Sequence, residues 1–203
     1  MNTTIRIRQA EALLAAFDWD VDHCRQVRDL AVSLFDQLQP VHQLDADARD
    51  ILNAAALLHD IGWTVSHSKH HKHSYRLIHE STRSLSGFAL PQVELVANVA
   101  RYHRKALPSL DHEPYAALPE ADREIVRHLA ALLRLADGLD RPHLQQVRSL
   151  QVEVTNTVVS LALDVVADPA SHIEGAARKR ELFESVYTRR LELIVADRAK
   201  ITP

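Results

Sequence analysis

The sequence predicts a mostly helical protein, a bundle of helices carrying a small β-β-α-β unit near its C-terminal end. Three observations lead there. Gly (4) and Pro (8) are scarce in 203 residues while hydrophobic residues reach 46%, the composition of an ordered, helix-rich chain. Apolar residues recur at intervals of three and four as far as Asp140. Beyond Pro142 the interval changes to two.

Element by element, apolar positions from Ile5 to Phe17 fall at helical spacing, and a clearer helix follows with Val21, Val27, Leu30, Leu34 and Leu38 along one side. Asp45 is placed to cap a third helix through Ile51, Leu52, Ala55 and Leu58, with Gly62 as its expected stop. A His-rich loop then leads to a short helix from Ser74 to Glu80, and Pro91 opens another that runs to Tyr102. A polar loop covers Leu107 to Glu120. The strongest helix follows from Ala121 to Asp140, with Leu129, Leu132, Leu133 and Ala136 as its apolar stripe. Val152, Val154, Leu161, Leu163 and Val165 alternate around Asn156–Thr157, as in a β-hairpin. A helix from Ala170 to Tyr187 and a strand through Leu191, Leu193 and Val195 complete the expected organisation: a helical domain over 1–145 and an α+β appendage over 146–203 packed on it.

Composition also excludes classes of function. A formal net charge of -3 argues against a binder of duplex nucleic acid that works through overall basicity. The lone Cys24 rules out an internal disulfide framework and is expected to pack in the core. The start MNTTIRIRQAEALL has no apolar signal core, so a cytoplasmic location is expected. No apolar run approaches the roughly 20 residues that span a bilayer, and no membrane partner is expected. A homodimer is the default assembly.

The unusual count is 13 histidines, seven of which (His59, His67, His70, His71, His73, His79 and His103) fall in one stretch beside Asp60. His23 precedes Val27, Leu30 and Leu34 at helical intervals, His59 follows Ile51 and Ala55, and Asp137 lies four residues after Leu133. All three should therefore point coreward. A carboxylate on a core-facing stripe is costly unless something pairs with it. Convergence of these groups with Asp60 on a divalent cation would offset that cost, and such nitrogen and oxygen sets suit Mn, Fe, Co, Ni, Zn or Mg. Taken singly, each residue is better explained as a satisfied core histidine or a helix-terminal aspartate. Lys69, Lys72, Arg76, Arg101, Arg104 and Lys105 are interleaved with the histidines and suggest one anion-binding mouth for phosphate oxygens.

The segments LLHDIGWTVSHSKHHKHSYRLI, RYHRKALP and LLRLADGLDR, in that order, resemble the HD domain that forms the C-terminal part of the exopolyphosphatase and guanosine-pentaphosphate phosphohydrolase family. The likeness covers His23 to Arg141, and the family's actin-like catalytic pair of domains has no counterpart, so the expectation is a freestanding HD-domain helical bundle. What the resemblance implies is a metal-dependent phosphohydrolase acting on a phosphate ester or anhydride, of a nucleotide or a polyphosphate-like compound. His23, His59, Asp60 and Asp137 match the superfamily's primary metal ligands. A second metal, or a catalytic role, would fall to His103 and to one of His67, His70, His71 and His73, with His71 favoured and His70 the close alternative. One or two divalent ions are implied, with Lys69, Lys72, Arg101, Arg104 and Lys105 binding phosphate. In many multidomain relatives the HD pair is altered, whereas His59–Asp60 is intact here. The same resemblance supports an alternative, a regulatory module that holds polyphosphate or a nucleotide without cleaving it. RKRELFESVYTRR is also similar to the stretch after the HD domain in relatives. Its Arg178, Lys179 and Arg180 are expected on the wet face of a helix.

Overall fold

In the computed structural model, which describes residues 2–196, the chain begins with α1 (Thr3–Phe17), capped by the Asn2 side chain accepting from the Thr4 amide. Then follow α2 (Val21–His42), α3 (Ala46–Leu58), a 3-10 turn at Ile61–Thr64, α4 (His70–Glu80), α5 (Leu90–Arg101), the single turn α6 (Glu113–Ala116) and α7 (Glu120–Leu139). The C-terminal part is β1 (Val147–Val154), β2 (Val158–Val165), α8 (Ala170–Ala177), α9 (Arg180–Tyr187) and β3 (Arg190–Val195). This is the expected helical bundle with its β-β-α-β unit. The appendage was expected to run on to residue 203, and residues 197–203 lie outside the described residues.

The core is organised around α3. From Asp50 to Leu58 every residue of this helix is buried, and α1, α2, α5 and α7 all pack against it. Such a helix has no wet face, so its C-terminal end delivers whatever follows it into the interior. Arg6, itself buried, ties α1 to α3 through Asp47 and through Asp50 at 3.0 Å, and its guanidinium lies over the Phe88 ring. Truncating Arg6 would leave the buried Asp50 without its cation, a loss of about 3–5 kcal/mol.

Several boundaries differ from the sequence expectation for identifiable reasons. Gly62 does not terminate α3 in a left-handed conformation; among the described residues no glycine has positive φ. It is needed for close approach instead, because a Cβ there would run into the His70 carbonyl and the Ser74 amide. Its own amide donates to Ser74 Oγ at 2.9 Å. The helix expected from Ser74 therefore begins at His70, drawn onto the 3-10 turn. α2 continues through Pro40 to His42. The hairpin begins at Val147, with Leu150 opposite Leu163 and Val154 opposite Val159. β3 adds parallel to β2, Val158 pairing Arg190, so the α8–α9 segment is its crossover. Gln37 of α2 seals the edge of β1, donating to the Leu150 carbonyl at 3.0 Å and accepting from the Val152 amide at 2.9 Å.

The single helix expected from Ala170 to Tyr187 is two, broken at Arg178–Lys179. α8 lies against α7 with nothing between their backbones: a Cβ at Gly138 would sit 2.7 Å from the Gly175 carbonyl oxygen. His172, fully buried, donates from Nδ1 to the Leu139 carbonyl at 2.6 Å and fixes the same crossing. Gly175→Ala is expected to force the two helices apart and to cost about 1–3 kcal/mol, read as a lowered urea midpoint. An unchanged midpoint would mean that the crossing relaxes freely.

Candidate functional site

α3 ends at Leu58, His59 still has helical backbone, and Asp60 turns the chain at φ -110, ψ 2. His59 donates from Nδ1 to the Ala56 carbonyl at 2.7 Å. At the end of α5, His103 does the same toward Ala100 at 2.8 Å. His23, in the first turn of α2, directs Nδ1 to Asp140 Oδ2 at 2.8 Å. Each ring thus commits Nδ1 to a fixed acceptor and turns Nε2 inward, the arrangement that orients an imidazole as a ligand.

The inward atoms meet. Ligand atoms of His23, His59 and Asp137 lie within 4.8 Å of one another, as do those of Asp60, His70 and His103, and of His23, Asp60 and His143. His70 Nε2 and His103 Nε2 are 3.2 and 3.4 Å from Asp60 Oδ1, and His23 Nε2 is 3.6 Å from Asp137 Oδ1. The Nε2 atoms of His23 and His59 are buried with no hydrogen-bond partner among the described residues. Buried imidazole nitrogens without hydrogen-bond partners, set against carboxylates, are costly as a purely structural arrangement and fit a divalent cation, to which His59 would offer a lone pair directly and His23 on giving up its proton.

Burial works against every charge here, and specific neighbours decide each outcome. Burial alone would lower the pKa of His23, but Asp137 and Asp140 outweigh it and hold the imidazole up at about 10. Burial pushes His59 and His103 down, so both are neutral. Burial would raise Asp60 and Asp137; the histidines His59, His70 and His103 reverse this for Asp60, and Lys179 followed by His23 reverses it for Asp137.

The cleft above these groups has a volume of about 600 Å³, and its walls include Trp63, Arg104, Lys105, Arg134, Arg141, Arg178 and Lys179. Trp63 is stacked between Trp19, at 5.2 Å between ring centroids, and His70, at 4.6 Å. Here the structure corrects three expectations. It brings His70 rather than His71 against Asp60, because α4 starts at His70 and the next position points around the helix into a neighbouring cavity. His67 lies on the Trp63 ring, and His73 is in none of the clusters. The single basic mouth divides in two: Arg104 and Lys105 border both spaces, while Lys69, Lys72 and Arg101 line only the second. Arg76 is spent on Glu80 in its own helix. Lys179 is no wet-face residue, since it pairs with Asp137 from the break between α8 and α9.

Sequence reasoning also missed Asp140 and His143. Asp140 is fully buried and supports His23 while accepting from the Gln145 amide. His143 stacks on His23 at 3.6 Å and pairs with Asp20 at 2.6 Å. The signal for Asp140 was its place three residues after Asp137, on the same helical face. For Lys179 the only signal was Gly175 inside an otherwise good helix.

Residues 5–173 match the family described as Ppx/GppA phosphatase, domain III. The chain belongs to that family. Among relatives of this domain III chain, a guanosine-5'-triphosphate,3'-diphosphate pyrophosphatase of Photobacterium profundum is 32% identical over 174 residues, 84% of this chain and 34% of the relative. Proteins of the same name from Aeromonas hydrophila and Aeromonas salmonicida are 33% and 32% identical over 132 residues, 64% of this chain and 26% of theirs. The chain therefore spans about a third or less of the length of these relatives. Among the described residues no helix is long and apolar enough to cross a membrane.

His23 gives the site a pH signature. A histidine whose folded pKa is raised stabilises the fold fully below its unfolded value of about 6.5, and that contribution is lost as pH rises through about 10. Chelator-treated protein should therefore lose thermal stability across this window. Asp140→Asn should bring the upper end of this window to lower pH and reduce the total loss, and a profile unaltered by that change would show that His23 does not carry it.

Proposed function

We propose that the cleft is an HD-type, metal-dependent phosphohydrolase centre acting on a phosphate ester or anhydride, of a nucleotide or a polyphosphate-like compound. The observation that carries this reading is the convergence of orphan imidazole Nε2 atoms and two buried carboxylates at the floor of a cleft with cationic walls. His23, His59, Asp60 and Asp137 would hold one ion, and Asp60, His70 and His103 a second. Mn, Fe, Mg, Co, Ni and Zn all suit this donor set. A divalent ion there supplies charge neutralisation and a water acidic enough to lose its proton near neutrality. The printed name of the relatives, a pyrophosphatase of a guanosine nucleotide, agrees with the reaction class.

The chain's own groups have separable tasks. Asp60 orients the attacking water, because its carboxylate is held between three imidazoles. His103 is neutral, with its Nδ1 hydrogen committed to Ala100, so its Nε2 lone pair would serve the second ion or, where only one ion is bound, take a proton. Arg104 and Lys105 at the rim, with Arg141, bind phosphate oxygens. Arg134 is buried and braces this wall by donating to the Tyr102 and Lys105 carbonyls at 2.9 and 3.3 Å.

One observation favours the second reading, a module that binds nucleotide or polyphosphate without cleaving it. Lys179 already supplies Asp137 with a positive charge, which opposes a metal on the same carboxylate.

The deciding experiment is a metal titration of the full chain followed by a screen of phosphate compounds with and without chelator. Asp60→Asn is expected to lower turnover by about a hundredfold or more with an unaltered circular dichroism spectrum, and retention of full turnover would displace the cleft from the chemistry. Lys179→Ala is expected to tighten Mn binding, measured by calorimetry, since it removes a competing cation. Unchanged or weaker Mn binding in that variant would favour the binding module.

A further inference from the structure

His143 also lines the cleft, and the turn that carries it is joined to the start of α2 by an exchange of aspartates. Asp140, the C-cap of α7, holds His23 Nδ1 at 2.8 Å. Asp20, the N-cap of α2, holds His143 Nδ1 at 2.6 Å. The other oxygen of Asp20 accepts from the His23 amide at 3.3 Å, and the His143 amide donates to the Asp140 carbonyl at 2.8 Å. Each histidine is thus oriented by an aspartate that sits beside the other. Asp20 and His143 both have left-handed backbone, at φ 36 and φ 56, a conformation that costs energy in residues other than glycine. A partly exposed ion pair returns little stability, so the pair alone does not account for two strained residues.

With its Nδ1 hydrogen donated to Asp20, His143 carries its lone pair on Nε2, as His59 and His103 do. Either an ion or the layer above it can use that lone pair, and the ring plane decides between them. His143 lies on the His23 ring at 3.6 Å between centroids and 11° between planes. An imidazole lone pair lies in the plane of its ring, so two parallel rings cannot both aim at one ion. His23 is fully buried and faces Asp137, whereas His143 is partly exposed, which puts it one layer further out. A ring nitrogen of His143 lies within 4.8 Å of an Asp60 oxygen. One water spans such a gap with two ordinary hydrogen bonds of about 2.8 Å. Asp60 has capacity for it, since its Oδ1 is buried with no hydrogen-bond partner among the described residues. A phosphate oxygen would meet the Nε2 lone pair with a lone pair of its own, while a water offers the hydrogen that Nε2 requires.

We propose that His143 is a catalytic residue of the cleft, whose Nε2 accepts a hydrogen bond from the attacking water. The other hydrogen of that water goes to Asp60, and with both hydrogens engaged its oxygen lone pair is turned toward phosphorus. Asp20 is the positioning residue that keeps the His143 hydrogen on Nδ1. This role rests on the hydrolytic reading of the cleft and adds to it a second acceptor for the water that Asp60 holds.

The test combines imidazole nitrogen NMR of the metal-free full chain with kinetics of the Mn-loaded chain on a phosphate compound that the wild type cleaves. In the wild type the His143 hydrogen is expected on Nδ1. Asp20→Asn keeps an oxygen for the His23 amide but presents an NH2 group to His143, so the hydrogen should move to Nε2. Asp20→Asn and His143→Ala should each lower kcat by roughly tenfold or more, with KM held within about twofold. His143→Gln, whose amide oxygen reaches the place of Nε2, should recover part of the loss. Mn affinity, measured by calorimetry, should change little in all three variants. A wild-type ring with its hydrogen on Nε2 would overturn the proposal, as would equal kcat in wild type and His143→Ala or a loss confined to KM. Mn binding weakened by roughly tenfold or more in His143→Ala would make the ring an ion ligand and overturn it as well. If the wild type cleaves no phosphate compound, the hydrolytic reading fails and this role with it. If the wild type cleaves and His143→Ala cleaves as well, only the role of His143 fails.

Discussion

Asp137 lies at the end of a buried helical stripe, where a carboxylate retains its charge only because Lys179 and His23 are held against it, and Asp60, at the end of α3, depends in the same way on the imidazoles of His59, His70 and His103. Desolvating an ion is expensive, and the surrounding structure must offset it with closely placed partners. The solution adopted is a ring of imidazoles plus one lysine. His23 is shared between Asp137 and Asp140, and as a cation it is worth more there than in water. His59 and His103 remain neutral and offer lone pairs instead. The result is a cluster whose charges are opposed by close partners but whose hydrogen bonds are incomplete. That imbalance separates it from an ordinary buried salt-bridge network.

The fold is arranged to hold this cluster from several independent directions. The buried stretch of α3 carries the His59–Asp60 pair inward, the turn after α5 brings His103, α7 and its cap bring Asp137 and Asp140, and α2 brings His23. The two close backbone approaches both serve it. Gly62 lets the start of α4 settle on the turn after Asp60, which seats His70, and the Gly138–Gly175 crossing brings the α8–α9 break over Asp137. Neither approach contributes a catalytic atom. Both remove a side chain so that other side chains can meet.

Much of this was legible in the sequence because the period of apolar residues fixes helix phase. The coreward direction of His23, His59 and Asp137 follows from phase, their grouping as one ligand set was implied only by the family resemblance, and the change of period after Pro142 marks the hairpin and its crossover. What failed were features that phase does not encode. The favoured His71 and the observed His70 differ by one residue in a run of histidines, and the choice depended on where α4 begins, which is set by the Gly62–Ser74 contact and not by local propensity. Lys179 looked like one base among three on a wet helix, because a break that turns one residue inward leaves no mark on the apolar spacing. The division of the bases between two cavities depended on the path of the segment after α5, where Lys105 adopts a left-handed conformation at φ 59. His143 was invisible for the same reason, since it also lies at positive φ after α7, at 56°.

The bare crossing of α7 and α8 has a further consequence. Lys179 belongs to the sheet unit, whereas the groups it opposes belong to the bundle, and the two are joined there by backbone contact and by His172. The buried residues of the sheet unit, Leu161, Leu163 and Phe183 among them, continue the core of the bundle, and segments at the edge of such a core open locally more readily than its centre. Transient detachment of the sheet unit would withdraw the lysine as a plug is drawn, leaving the imidazoles and Asp60 in register. The electrostatic state of the site is thereby coupled to the local stability of an element that contributes no histidine to it.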